Sequence, residues 1–247
     1  MAEARMIEAL IFDCDGVLVD TERDAHRVGF NKAFGEFGID AEWSVQLYAN
    51  LLLTAGGKER MKVYFDEFGW PNDKVAEYGG RDELIAALHK EKTRITSKLV
   101  SSLPVRPGVL RLVDEAIDAG VRLGVCTTSN PKFIDAVLDL FGPARKAKFE
   151  FVHAGDVVSK KKPAPEIYEL AKQSLGLPPE RCVVIEDSRN GLLAAKGAGF
   201  PCLVTTSTYT VDEDLSEADR IVPELGDEPN INVTLADLDE LAAAHAA

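Results

Sequence analysis

Cysteine is scarce, with four in 247 residues, and no two stand at C-x-x-C spacing. Cys14, Cys126, Cys182 and Cys202 each lie in or beside an apolar, β-branched run. That arrangement excludes a zinc knuckle and a disulfide framework, and reduced strand residues are expected. Basic residues are also in deficit. With 28 Lys and Arg against 41 Asp and Glu, the formal charge is −13, which disfavours nucleic acid, because phosphate backbones demand a basic surface. No apolar run approaches the ~18 residues that span a bilayer, so no membrane is expected either. Met1 to Glu8 holds two acids and lacks both a secretory apolar region and an Arg/Ser-rich transit segment, so any targeting peptide is expected to be absent or already removed.

What is present reads as an ordinary packed protein. Apolar residues make up 46% and charged residues 28%, enough for one large domain or a core with a smaller partner. The acids are concentrated near the end, where eleven of them between Val211 and Glu240 face Arg220 alone. That stretch is expected to be a solvated surface, and an anionic substrate elsewhere is not excluded. The sequon Asn232-Val233-Thr234 has no expected role, since nothing routes the chain to glycosylation.

Short apolar runs recur at Ala9-Leu10-Ile11-Phe12, Val121 to Val125, Phe149 to Val152, Val183-Val184-Ile185 and Cys202-Leu203-Val204. They do not alternate, as expected of strands covered on both faces of a parallel sheet. Helical stripes lie between them: Val109, Leu112, Val113, Ala116 and Ile117 stop at Gly120, and Ile134, Val137, Leu138 and Phe141 stop at Gly142. The alternation predicts an α/β fold with a Rossmann-like, doubly wound parallel sheet. Between the first strand and Pro104 the pattern changes to helices only. Phe30, Ala33, Phe34 and Phe37 form one stripe, Met61, Tyr64, Phe65 and Phe68 a second, and Leu84, Leu88, Ile95 and Leu99 a third. The expected division is an α/β core from 1–20 and 104–247 with an inserted α-helical cap from 21–103.

The chemistry is expected at strand ends. Residues i and i+2 of a strand point the same way, so Asp13 and Asp15 project together beyond the first strand. Two carboxylates there repel unless a cation separates them, and without His or Cys ligands Mg²⁺ is the natural choice. Glu186-Asp187 follows a later strand and could complete the site. Thr127-Thr128-Ser129-Asn130 offers hydroxyls and N–H groups ahead of a helix begun by Pro131, which suits a phosphate oxygen. Lys162, beside Pro163, could neutralise a transferring phosphoryl group, whereas Lys160 and Lys161 are expected in solvent. Taken singly, Asp13 could be a cap or turn residue and Thr127 a turn hydroxyl, and Asp20 is expected to cap the first inserted helix.

Asp13-x-Asp15-Gly16, Thr127, Lys162 before Pro163, and Glu186-Asp187 together resemble the four motifs of the haloacid dehalogenase superfamily, in order across nearly the whole chain. The resemblance implies that Asp13 attacks phosphorus to form an aspartyl-phosphate and that Asp15 is the acid/base. It implies that the Asp13 carboxylate, the Asp15 carbonyl and Asp187 hold Mg²⁺ with Glu186 beside them. Thr127, the Thr128 backbone and Lys162 would clamp the phosphoryl oxygens.

The insertion is similar to the cap of the subgroup containing β-phosphoglucomutase, phosphoglycolate phosphatase and CbbY-type sugar bisphosphatases. Asp20-Thr21-Glu22 with His26, Gly56-Gly57-Lys58-Glu59-Arg60-Met61, Gly69-Trp70-Pro71 and His89-Lys90-x-Lys92-Thr93 most resemble the CbbY type, particularly its plant and algal form. This implies hydrolysis of the 1-phosphate of xylulose 1,5-bisphosphate by a soluble monomer, in the plastid stroma of a plant or alga and in the cytoplasm otherwise. Bacterial members commonly place the histidine one residue nearer the nucleophile, which bears on the orientation of His26.

Gly56-Gly57 opening a helix would admit a phosphate to backbone N–H groups. Lys58 and Arg60 lie about 200° apart around that helix, so one of them is expected to reach the ligand. Lys92 either meets a second phosphate or snorkels into water. Glu22 and His26, at i and i+4, are placed for sugar hydroxyls, and His26 could equally be a surface residue. Ser129 and Asn130 complete the expected substrate contacts. The competing readings are a phosphomutase of the β-phosphoglucomutase type, a phosphoglycolate phosphatase, and, from another class, a receiver-like phosphoacceptor.

Overall fold

The structure is a computed structural model and describes residues 6–246. The first five residues of the segment read above as free of targeting signals lie outside it. In chain order the elements are β1 (Ala9–Phe12), a π-helical turn (Glu22–His26), and five helices, α1 (Arg27–Glu36), α2 (Val45–Leu51), α3 (Gly57–Phe68), α4 (Asn72–Tyr78) and α5 (Arg81–Val100). Then follow α6 (Val109–Asp118), β2 (Arg122–Thr127), α7 (Pro131–Asp139), α8 (Gly142–Lys146), β3 (Phe149–Ala154) and α9 (Glu166–Leu175). β4 (Cys182–Glu186), α10 (Arg189–Gly197), β5 (Cys202–Thr205), β6 (Arg220–Val222) and α11 (Leu235–Ala246) complete the chain.

The strands form one parallel sheet in the order β3-β2-β1-β4-β5-β6, the doubly wound arrangement expected of the alternating pattern. Because neighbouring residues of a strand face opposite ways, Leu10 and Phe12 pack with α6, α7 and α11 while Ala9 and Ile11 pack with α9 and α10. β3 departs from the expected run of buried residues: it lies at the sheet edge, its residues alternate in burial, and Val152 is 40% exposed. All four cysteines are buried and unpaired by disulfides. No helix of the described residues is long and apolar enough to cross a membrane.

The acidic stretch is not merely surface. It contains β6, a three-residue edge strand with no apolar run to announce it. Its acids bind structural donors: Asp219 accepts from the Cys202 N–H at 2.7 Å, Asp237 from the Thr234 N–H at 2.7 Å, and Asp239 from the Ile7 N–H at 2.9 Å.

The helices between β1 and α6 enclose a core of their own, built on Phe30, Phe34, Trp43, Tyr48, Phe65 and Leu88. Each buried aromatic removes about 150–250 Å² from water, which lets a purely helical insertion hold together. The chain enters the insertion after the turn that ends at Val19 and returns beside its exit, where the Arg106 N–H donates to the Leu18 carbonyl at 2.9 Å. The Arg106 guanidinium then ties the Gly16 carbonyl to those of Thr206 and Pro223.

Candidate active site

The sequence order reverses between β1 and β4, and the ends of these strands with that of β2 frame a crevice, the usual ligand position in an open α/β sheet. Asp13 follows β1, Glu186 ends β4 and Asp187 follows it. One oxygen from each of these buried acids lies within 4.8 Å of the other two. Gly16, with φ of 83°, makes the close approach possible, since a Cβ there would overlap the Asp187 carboxylate. Lys162, buried in the loop before α9, donates to Asp13 Oδ1 at 2.6 Å, to the Cys126 carbonyl at 2.9 Å and to Glu186 Oε1. Glu186 also accepts from the Tyr168 hydroxyl and from the Asp187 N–H. Both Glu186 oxygens therefore face protein donors.

Three buried carboxylates crowd one buried ammonium, which contacts Asp13 and Glu186. Burial pushes the Asp13 carboxyl well above its ordinary value despite Lys162, and the charges of Glu186 and Asp15 add to the shift. Burial, then Asp13 and Glu186, raise Asp187 similarly. Burial alone would lower Lys162, but Asp13 and Glu186 hold it well above the usual lysine range. The cluster can bind a metal: its donors are oxygens alone, in negative excess, which fits a hard divalent cation.

Asp15 faces the inserted helices instead. It accepts from Thr21 Oγ1, from Ser129 Oγ and from His26 Nε2 at 2.7 Å. Lys92 Nζ lies 2.6 Å from His26 Nδ1; an ammonium can only donate, so Nδ1 accepts and Nε2 carries the hydrogen given to Asp15. Burial would raise the Asp15 pKa, but the hydrogen bonds from His26, Ser129 and Thr21 outweigh it and bring it well below the usual carboxylate range.

His26 is carried by the π turn Glu22–His26. Arg27 N–H bonds to the Glu22 carbonyl five residues back, one more than in an α-helix, so the turn absorbs an extra residue. His26 lines the crevice but is only 3% exposed, with its ring nitrogens against Lys92 and Asp15. Glu22 accepts from the Tyr48 hydroxyl. The capping role expected of Asp20 is corrected: the helix start has no side-chain cap, and Asp20 accepts from Thr208 of the loop after β5.

Arg60, His89 and Lys92 line the crevice from the insertion, with Gly57 at the start of α3. Arg60 is buried, donates to the Tyr48 hydroxyl at 2.7 Å and stands 3.7 Å from Glu22, while its Nε has no hydrogen-bond partner among the described residues. Lys92 does not snorkel. It is 7% exposed, 4.7 Å from the centre of the Phe30 ring, and burial lowers its pKa to about 8 against the pull of Glu22 and Asp15. Lys58 stands outside this crevice, paired with Asp156 across a small side cavity. Lys161, expected in solvent, is 13% exposed and donates to both oxygens of Glu59, with Asp156 at 3.0 Å. Gly56 makes room for this pair, since a Cβ there would stand 2.8 Å from Lys161 Nζ.

Thr127 Oγ1 accepts from the Ser129 N–H at 3.1 Å, and Thr128 lines the crevice. Asn130 spends its side-chain oxygen capping α7 at the Lys132 N–H. Sequence reasoning missed His89, Ser207, Tyr209 and Glu213, all of which line the crevice. His89 packs against Gly57, and burial with Lys92, Lys58 and Lys161 lowers its pKa to about 3, so it is neutral. The hydroxyl run Thr205-Thr206-Ser207-Thr208 at a strand end is the same signal that marks Thr127 to Ser129.

The family profile of haloacid dehalogenase-like hydrolases matches residues 7–199. A CBBY-like protein of Arabidopsis thaliana is 51% identical over 92% of this chain and 72% of its own length. Protein CbbY of Rhodobacter capsulatus is 42% identical over 89% of this chain and 94% of its own. The crystal structure of a CbbY mutant from Rhodobacter sphaeroides in complex with xylulose-(1,5)bisphosphate superposes with a TM-score of 0.84 at 38% identity, covering 94% of this chain and 99% of that one.

Proposed function

The chain belongs to the haloacid dehalogenase-like hydrolase family and is a phosphatase, and we propose that it removes the 1-phosphate of xylulose 1,5-bisphosphate with the help of Mg²⁺. The observation that carries this reading is the pairing of two sites in one crevice: a phosphoryl-transfer cluster on the sheet, and a cationic wall of Arg60 and Lys92 facing it from the insertion. The related CbbY structure with that bisphosphate supports the substrate. The cap is assigned to 21–103 over a core of 1–20 and 104–247.

In this reading Asp13 attacks phosphorus while Lys162, the Thr127 hydroxyl and the Thr128 backbone steady the phosphoryl oxygens, where charge stabilisation carries most of the rate. Asp15 delivers a proton to the leaving sugar oxygen and then takes one from the water that opens the aspartyl-phosphate. The proton gained at the second step is the one given at the next turnover. Thr21, His26 and Ser129 support the ionised Asp15 that receives it. The Asp13 and Asp187 carboxylates and the Asp15 carbonyl would hold Mg²⁺, which supplies positive charge against the phosphoryl group. Glu186, committed to Lys162 and Tyr168, orients the lysine. Arg60 and Lys92 receive the second phosphate, and Lys58 stays paired with Asp156 outside the crevice. The enzyme is read as a monomer of the plastid stroma in a plant or alga, and of the cytoplasm otherwise.

The test is Mg²⁺-dependent phosphate release from xylulose 1,5-bisphosphate, ribulose 1,5-bisphosphate, phosphoglycolate and β-glucose 1-phosphate, compared by kcat/KM. Strong preference for the first is expected, with loss of turnover but not of folding in Asp13→Asn. Isomerisation of β-glucose 1-phosphate without net phosphate release would establish the mutase instead.

A further inference from the structure

The loop after β5 meets three separate parts of the molecule within four residues. Ser207 Oγ donates to Asp187 Oδ2 at 2.7 Å, and its position is fixed by Thr210, whose hydroxyl accepts from the Ser207 N–H at 2.8 Å. Thr208 donates from its N–H and hydroxyl to Asp20, where the chain enters the insertion. Tyr209 packs edge-on to Tyr48 with ring centres 5.8 Å apart, against the aromatic core of the inserted helices. Tyr48 in turn holds Glu22 and Arg60 on the crevice wall. Ser207, with its hydroxyl on Asp187, is thus two residues from a ring seated on the opposite body.

We infer that Tyr209 is a positioning residue: docked on Tyr48, its ring sets the loop so that Ser207 orients Asp187, and the acidic cluster takes its cation-binding form when the insertion is seated. A carboxylate with two free oxygens can turn away from its neighbours. One held by a hydroxyl on Oδ2 presents the other oxygen in a fixed direction, and loss of such supporting hydrogen bonds typically costs about 10–100-fold in metal affinity. The connection through Tyr209 makes that orientation depend on the inserted helices, which carry none of the three clustered acids.

This inference rests on reading the cluster as a cation site, and its test needs no sugar phosphate, so a wrong substrate assignment leaves it untouched. Mn²⁺ binding to the whole protein is measured from the free-ion electron paramagnetic resonance signal for wild type, Ser207→Ala, Tyr209→Leu, Tyr209→Phe and the Ser207→Ala/Tyr209→Leu double variant. Leucine keeps apolar bulk under the cap and phenylalanine keeps the ring. The expected result is a Kd raised about tenfold by Ser207→Ala and about fivefold by Tyr209→Leu. The double variant should be no more than about twofold worse than Ser207→Ala, and Tyr209→Phe should stay within about twofold of wild type. Wild-type affinity in Tyr209→Leu, or losses that multiply in the double variant, would overturn the inference. A lowered Tm in Tyr209→Leu with unchanged Mn²⁺ affinity would assign Tyr209 to packing alone.

Discussion

Replacing Asp187 with asparagine should remove catalytic competence and at the same time stabilise the metal-free protein. Asp187 lies within 4.8 Å of Asp13 and Glu186, and at that separation two unit charges repel by about 3.5 kcal/mol for an effective dielectric constant near 20. Lys162 sits on Asp13 and Glu186 and relieves Asp187 only from a distance. An acid whose folded pKa is raised binds its proton more tightly in the folded chain. Its contribution is therefore full below the ordinary carboxylate value of about 4 and is lost as pH rises towards the folded pKa. Asparagine copies the protonated form and can still accept from Ser207. After relaxation around the site, the gain at neutral pH should be about 1–2 kcal/mol, a Tm increase of about 3–6 °C for a chain of this size. Thermal melts with EDTA and with saturating Mg²⁺ provide the assay. Wild type should gain Tm from Mg²⁺ and Asp187→Asn should not. An Asp187→Asn protein melting below wild type in EDTA would refute the claim that like-charge crowding dominates this cluster.

Two further outcomes follow from the insertion. Lys92 loses its charge as pH rises through about 8, so kcat/KM for a bisphosphate should fall above that pH, and the fall should disappear in Lys92→Ala; an unchanged falling limb in the variant would show that another group titrates. Lys161→Met removes contacts to Glu59 and Asp156, which are 44% and 56% exposed, so solvent screening leaves each worth about 0.2–1 kcal/mol. KM should rise about two- to fivefold at low ionic strength and converge with wild type near 0.5 M salt, whereas a salt-independent difference would deny Lys161 a bridging role.

The sheet was legible because strands covered on both sides are short, apolar and separated by amphipathic helices, as Val183-Val184-Ile185 and the Val109 to Ile117 stripe illustrate. β6 was hidden because an edge strand of Arg220, Ile221 and Val222 needs no apolar run. Asp13, Asp15, Lys162 and Asp187 stand out in the sequence because charges at the ends of apolar strands have few structural uses. What could not be read was the wiring between distant segments. Nothing local to His26 reveals that Lys92, 66 residues later, meets its other nitrogen. Nor does the run Ser159 to Lys162 show which lysines turn inward; Lys161 is drawn from solvent by Glu59 and Asp156, two acids on separate segments. The π turn that carries His26 is likewise shown only by the backbone.

The hydrogen bond between Arg106 and Leu18 closes the excursion of the chain at its base. A segment whose two ends already touch imposes little on the sheet that carries it, and each doubling of its length costs only about 0.6 kcal/mol in closure entropy. The reacting acids and their lysine all lie on the sheet side of that closure, while Arg60, His89 and Lys92 lie beyond it. The separation is not complete, because Asp15 takes two of its supporting hydrogen bonds from Thr21 and His26 beyond the closure, so a different excursion grafted at the same base would have to supply such partners again.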